Sequence, residues 1–483
     1  MVENPAPELD KHYVPSRQTS PLAPRVKHLY GIGEISLIIK QQTMALFTFY
    51  LYTTVLGLSG TTVGVVCCLS IFWDAVIDPY IGYLSDRARS HWGRRHLFLL
   101  IGALSMGISF WSYFSPPRNL SHGLLLLWFI SSNFLVRTTT SLFGVPYYAL
   151  GAELSQDYQE RTSITAIRGA WALSGTLSTV ALSFLVFFPN YLEGVDPKLE
   201  YQHYPALGIT FGLIMTLTGL IATFGSSGKS MPKCLSRDNT QPRVVTDFFS
   251  SLMTSLRNPV FRAIFVSYSL LFMGIVINAL LANYYFTYYV RILDSKVITA
   301  FHLCFYVSAL VGVFFWLRVS RRIEKKMLYL VASSALSVLL CCASLLFGEG
   351  HLWGTGTYVP LIIGNGLAGF FASIVWFIPA SMMADITDLD TWTTGERREG
   401  SYFGLLSFGQ QVATGVALLL TGFLLDSYAG LIPNQALQSS TTSNRIGILF
   451  GVIPCVCCMC ATLAILFYRM NQQNVQEIQR HLK

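Results

Sequence analysis

The sequence predicts an all-α membrane protein with twelve transmembrane helices in two six-helix bundles. Three observations predict it: a composition too apolar for water, twelve windows able to cross a bilayer, and a basic bias that alternates from loop to loop. Of 483 residues, 52% are hydrophobic and only 12% are charged, against about 25% charged in an average soluble domain. A soluble core stops growing at about 250–300 residues, so this much apolar surface must face lipid. The formal net charge of +8 is distributed between apolar segments rather than over one solvated face, which argues against a nucleic-acid partner.

About 20 apolar residues cross the hydrocarbon core. Windows of that length centre near Thr43, Phe72, Leu104, Asn133, Ser174, Leu213, Ile275, Val307, Ala335, Gly369, Ala417 and Val456. Residues 1–27 form a polar tail without the apolar core of a signal peptide. Residues 28–224 hold the first six spans, 225–256 a basic linker with Lys229, Lys233, Arg237 and Arg243, 257–468 the second six, and 469–483 a second tail. With both termini in the cytoplasm, 25 of the 33 Lys and Arg fall inside and 5 outside, as the positive-inside rule requires. The expectation is a monomeric, multi-pass protein of the plasma (inner) membrane.

A charge at the middle of a membrane helix costs about 2.5–3.5 kcal/mol on insertion scales, so it needs a reason to be there. Glu34 and Lys40 in span one, Asp74 and Asp78 in span two, Arg137 in span four and Arg168 in span five stand out. All lie in the first half; the second half carries Asn278, Asn283, Asn365, Gln410 and Gln411 instead. Asp74 and Asp78 are four apart, which places both carboxylates on one helix face, about 5–6 Å apart at Cβ. Two bare carboxylates there would repel, so one must take a proton, a cation or a basic partner. Alternatively, the two only neutralise Arg137 and Arg168 and hold helices together. Pro79 is expected to break the helix ladder beside Asp78. Arg137 and Ser141 share a face of span four with Tyr148. Lys40, flanked by Gln41 and Gln42, reads as lining a polar cavity, whereas Glu34 sits close enough to the cytoplasmic end to be structural. Tyr284, Tyr285, Tyr288 and Tyr289 read first as an anchor at the membrane surface, with a sugar-stacking platform as the alternative. Trp376, with Gly366, Gly369 and Pro379 around it, is a cavity candidate on an irregular helix.

Enzyme-like signals are weak. Gly228-Lys229-Ser230 imitates the end of a phosphate-binding loop, but Thr223 occupies the position of the required first glycine and no strand precedes it. The cluster Cys455, Cys457, Cys458 and Cys460 lacks a companion His or carboxylate and reads as helix packing. No enzyme activity and no cofactor are expected.

The motifs resemble a known family. Trp73-Asp74-Ala75, Asp78-Pro79, Gly82, Ser85-Asp86-Arg87 and Trp92-Gly93-Arg94-Arg95 are similar to span two and the following loop of the glycoside–pentoside–hexuronide:cation symporters, the melibiose-permease branch of the major facilitator superfamily. Pro146-Tyr147-Tyr148-Ala149-Leu150, Glu153 and Asp157 to Glu160-Arg161 resemble its signature after span four. Asp385, Asp388, Thr394-Gly395 and Arg397-Arg398-Glu399-Gly400 resemble its loop between spans ten and eleven. The resemblance implies two six-helix bundles around a central cavity, working by alternating access. It implies a coupling-cation site at Asp74 and Asp78, assisted by Ser141, with the two aspartates as metal ligands only if the ion is sodium; the coupling ion is H+ or Na+. Arg168 matches an arginine near the sugar site.

Departures from the family bear on the solute. Two sugar-binding aspartates of the melibiose permease become Ile38 and Gly144, its span-eleven lysine falls at or near Gln411, and an asparagine between the cation-site acids becomes Ile77. The cavity keeps Lys40, Arg137 and Arg168 and leans positive, which brings a hexuronide or another anionic solute into range. The sequence therefore predicts cation-coupled symport of a small polar solute, a sugar, glycoside or hexuronide. Its candidate cavity residues are Lys40, Arg137, Gly144, Tyr148, Arg168, Trp376 and Gln411. A cytoplasmic gate is expected from Asp86, Arg94, Arg95, Glu153, Asp157, Glu160, Arg161 and Arg397. The rival readings are a carrier of lysophospholipid-like amphiphiles and a non-transporting sensor or scaffold.

Overall fold

The computed structural model describes residues 22–88, 95–155, 157–189, 196–226, 258–394, 399–433, 435, 437–470, 475 and 477–478. Among them all regular structure is helical. In chain order the helices are α1 (Pro24–Gly31), α2 (Glu34–Phe49), α3 (Gly60–Arg87), α4 (His96–Phe114), α5 (His122–Glu153), α6 (Tyr158–Leu182), α7 (His203–Gly225), α8 (Pro259–Tyr284), α9 (Ser295–Val319), α10 (Lys325–Leu345), α11 (Val359–Thr394), α12 (Glu399–Leu424) and α13 (Ser440–Leu466). Helices α1 and α2 are two parts of span one, parted at Ile32-Gly33, so the thirteen helices among the described residues make twelve spans. Gly33 allows the break to pack tightly, because a Cβ there would lie 2.7 Å from Ala222 and 2.8 Å from the Tyr147 ring.

Among the described residues, ten helices are long and apolar enough to cross a membrane by themselves. The other two spans are the broken first one and α5, whose run Arg137-Thr138-Thr139-Thr140-Ser141 dilutes its apolar length. Short polar side chains start many of the spans, as orphan N–H groups at helix ends require. Ser59 accepts from the Thr62 amide (3.1 Å), Asp157 from Glu160 (2.8 Å), Asn258 from Val260 (3.0 Å) and Ser439 from Thr442 (3.1 Å). Pro79 does not end its helix: α3 runs through it to Arg87. Losing one N–H leaves a carbonyl unbonded but does not stop a helix that is packed on its neighbours.

Within the first half, α4 packs on α7 and α5, α2 on α6, and α3 on α5; within the second, α9 packs on α11, α8 on α13, and α10 on α13 and α11. The main contact between the halves is α3 against α12. It is close enough that a Cβ on Gly422 would lie 2.0 Å from the Gly60 carbonyl. Gly366 and Gly369 serve the same purpose inside the second half and do not mark an irregular helix. A Cβ on Gly369 would lie 2.1 Å from the Phe305 carbonyl, and α11 stays helical throughout.

The halves are sealed at the end remote from Lys27, Arg95 and Lys325. There Asp426, just beyond α12, accepts from the amides of Gly60 (2.8 Å) and Thr61 (2.7 Å) and from the Thr61 hydroxyl (2.7 Å). Asp196, which is 3% exposed, pairs with Lys198 at 2.9 Å and accepts from Tyr50 and from Thr287 of the other half. Tyr284 bonds Thr53 across the same seam. Tyr284, Tyr285, Tyr288 and Tyr289 are accordingly buried and are not a membrane-surface anchor. Their hydroxyls reach Thr53 and the carbonyls of Ala343, Gln435, Ser344 and Phe347, satisfying a polar tip on an apolar ring.

Candidate functional site

Two clusters of charge lie inside the first half. In the first, α3 presents Asp74 and Asp78 one turn apart, and α5, packed against it, presents Arg137 and Ser141 at the same spacing. Arg137 donates through Nη1 to Asp74 Oδ2, with side chains 13% and 19% exposed. The Ser141 hydroxyl interacts with the Asp78 carboxylate. Lys40 of α2 lies within electrostatic reach of Arg137, Asp74 and Asp78, and among the described residues it closes no ion pair. The site is unevenly satisfied. Asp74 Oδ1, Asp78 Oδ1 and Arg137 Nε are buried without a hydrogen-bond partner, and such atoms mark a place where an occupant or a rearrangement is needed. Trp73 is tied to the same face of α5 by donating Nε1 to Thr138 (2.9 Å).

The second cluster centres on Glu34, at the start of α2. Arg168 Nε of α6 lies 3.4 Å from Glu34 Oε2, and Tyr148 of α5 donates its hydroxyl to Glu34 Oε1 (3.1 Å). The Arg168 guanidinium also lies over the Tyr148 ring, 4.9 Å from its centroid. Below them Tyr30 and Tyr147 stack at 4.6 Å and exchange hydroxyl-to-carbonyl bonds of 3.0 Å, which fixes the broken span one against α5. Glu34 therefore does more than end a helix: it ties α2 to α6 through Arg168 and to α5 through Tyr148. Its nearness to the helix end concealed it, although a carboxylate directly after the Ile32-Gly33 break was the available signal.

The other sequence candidates fall as follows. Gly144 is buried opposite Leu37, whose nearest atom would be 3.5 Å from an added Cβ, so a side chain would fit there. Trp376 is half exposed, Gln411 is exposed, and neither joins the two clusters. The neighbouring Gln410 instead donates to Tyr268 (2.6 Å). At the end carrying Lys27, Arg95 ties Asp86 (2.9 Å) to Glu153 (2.8 Å). Glu160 takes Lys27 (3.1 Å) and the Leu22 amide, Arg161 donates to the Ser155 carbonyl (2.7 Å), and Asp157 caps α6. These bonds lie within the first half. Lys325 and Asp385 (2.6 Å) make a similar tie within the second. Arg94 and Arg397 lie outside the described residues, as do nearly all of the linker and tails. Among the described residues, no group of three or more His, Cys, Asp or Glu is arranged to hold a metal ion.

One contact that sequence reasoning did not find crosses the halves near the first cluster: Tyr306 of α9 donates to Gln42 (3.2 Å). Nothing in the sequence pairs those positions, since they are 264 residues apart.

The MFS/sugar transport protein family model matches residues 29–472. An uncharacterized symporter of Synechocystis is 24% identical, with 89% of this chain and 90% of that protein aligned. A glucuronide carrier protein homolog of Escherichia coli is also 24% identical, covering 93% of each chain. The inward-open structure of the xylose transporter XylE from E. coli superposes with a TM-score of 0.60 over 94% of this chain and 98% of that one; at 12% identity this likeness speaks for the fold. The symporter resemblance read from the three motifs is borne out. The chain belongs to the MFS/sugar transport protein family and is a twelve-span membrane transporter, not an enzyme.

Proposed function

We propose that this transporter is a cation-coupled symporter of a small polar solute, a sugar, glycoside or hexuronide, working by alternating access. The observation that carries the reading is the incomplete first cluster: Asp74 is neutralised by Arg137, while Asp78 keeps a buried oxygen with no partner. A carboxylate left that way inside a membrane protein needs an exchangeable positive partner, and the coupling cation, a proton or sodium, supplies one. Asp74, Asp78 and Ser141 form the cation site. Arg168, Tyr148 and Lys40, with the space beside Gly144, form the solute side of the cavity. Arg168 is held by Glu34 at a distance that an anionic group could outcompete, and a relative named for glucuronide supports a hexuronide or another anionic solute.

The orientation follows from the basic loops: both termini are cytoplasmic in the inner or plasma membrane, and the seal at Asp196 and Asp426 is extracellular. The conformation is then inward-facing, with the Arg95 and Lys325 ties holding each half by itself. Purified protein in vesicles should accumulate a labelled hexuronide or glycoside only under an imposed cation gradient. Equal final levels with and without the gradient would contradict coupling. A thermal-shift screen of uronides, neutral glycosides and lysolipids identifies the solute class, and stabilisation by lysolipids alone would contradict the sugar reading.

A further inference from the structure

We propose that Gln42 and Tyr306 form the ceiling of the solute site, where a hydroxylated solute exchanges hydrogen bonds with both halves at once. The inference rests on the sugar or glycoside reading and adds the second-half contact which that reading lacks. Residues 42, 46, 50 and 53 of span one are spaced by four, four and three, so they share one helix face. Each is hydrogen-bonded to the second half. Gln42 accepts from Tyr306 of α9 (3.2 Å), the Leu46 carbonyl accepts from Asn283, Tyr50 bonds Thr287 (3.2 Å) and Thr53 bonds Tyr284.

The rungs of this ladder differ in their surroundings. Leu46, Tyr50, Thr53 and their three partners are buried, so no solute reaches them. Gln42 and Tyr306 are only partly buried. Between described residues, α2 makes no hydrogen bond to the second half on the Glu34 side of this rung. The ladder thus ends where open space begins. Gln42 Nε2 has no partner among the described residues, and an amide nitrogen at a half-open position takes water or a solute oxygen. An amide and a phenol each donate and accept, which suits the hydroxyl groups that glycosides and hexuronides share. The position also matters for transport. A ligand shifts an equilibrium between conformations only through contacts that differ between them. Arg168, Tyr148 and Lys40 all belong to the first half, so a solute held by them alone would not sense motion between the halves. One that bridges Gln42 and Tyr306 does.

The test compares Tyr306→Phe and Gln42→Leu with a buried-rung variant, Thr287→Val, using D-glucuronate and methyl β-D-glucoside as probes. Thermal midpoints of purified protein are followed against probe concentration. Tyr306→Phe and Gln42→Leu should keep the probe-free midpoint close to wild type, because water replaces the lost bond. They should raise the half-saturating concentration of whichever probe binds wild type by about tenfold. Thr287→Val should instead lower the probe-free midpoint, since it breaks a bond that water cannot replace. Unchanged half-saturation in a folded variant of either residue overturns the proposal and makes the rung a strut of the seal. If wild type binds neither probe, the sugar reading itself fails, and the ceiling is judged without solute. Gln42→Cys should then react with a hydrophilic maleimide, read at residue 42 by mass spectrometry, and an unreactive variant overturns the proposal.

Discussion

The two halves share a helical plan but meet the bilayer with different chemistry. In the second half, partly buried amides are used as glue: Asn278 donates to the Phe450 carbonyl (3.0 Å), tying α8 to α13, and Asn365 to the Phe301 carbonyl (2.8 Å), tying α11 to α9. The first half instead carries the ionic pairs Asp74 with Arg137 and Glu34 with Arg168, and several of their polar atoms stay buried without a partner. Satisfied amides contribute modestly and hold shape. Unsatisfied ionic groups weaken the fold and persist where they serve a function. The difference supports the proposal that the ion chemistry lies in the first half.

That contrast can be broken by mutation. The largest effect is expected from Arg137→Leu, which leaves Asp74 alone in the interior and should cost about 3–5 kcal/mol in stability, read as a fall in the thermal midpoint. Removing both partners with Asp74→Leu and Arg137→Leu should restore most of that loss, since replacing a whole buried pair is close to neutral. Glu34→Gln should come next. It weakens the hold on Arg168 and Tyr148 by about 1–2 kcal/mol, or roughly 5–30-fold in apparent solute affinity, checked by transport at varied solute concentration.

Asp196→Asn removes the charge opposite Lys198 and weakens the Thr287 bond across the seam. It should destabilise the sealed end by about 1–3 kcal/mol, seen as faster hydrogen exchange of the amides between Thr53 and Leu58. The smallest effect is expected in the second half. Asn278→Ala should cost about 1 kcal/mol in the thermal midpoint and leave ion dependence unchanged. A comparable loss of ion dependence there would erase the distinction between the halves.

Most of the fold was legible because the bilayer imposes it. All twelve predicted centres, Thr43 to Val456, fall inside the observed helices, since an apolar run of that length has few other destinations. The Asp74/Asp78 pair was legible for the related reason that charges do not enter such runs by chance. Pairing was not. Arg137 and Arg168 were both plausible partners for the aspartates, and only the packing of α3 on α5 and of α2 on α6 sends the first to Asp74 and the second to Glu34. The tyrosines after α8 were misread because an aromatic run at a span end looks the same whether it faces headgroups or another helix. Gly366 and Gly369 show the same ambiguity: spacing reveals glycine, but only the facing Cys304 and Phe305 reveal that it admits a neighbour.

Asp78→Asn in reconstituted vesicles tests the central claim most directly, with both accumulation under an ion gradient and equilibrium exchange of labelled solute measured. Loss of accumulation with exchange retained is the predicted result, because the substitution removes the exchangeable charge but leaves the solute side of the cavity intact. Accumulation at the wild-type level with its ion dependence unchanged would contradict the assignment of coupling to Asp78.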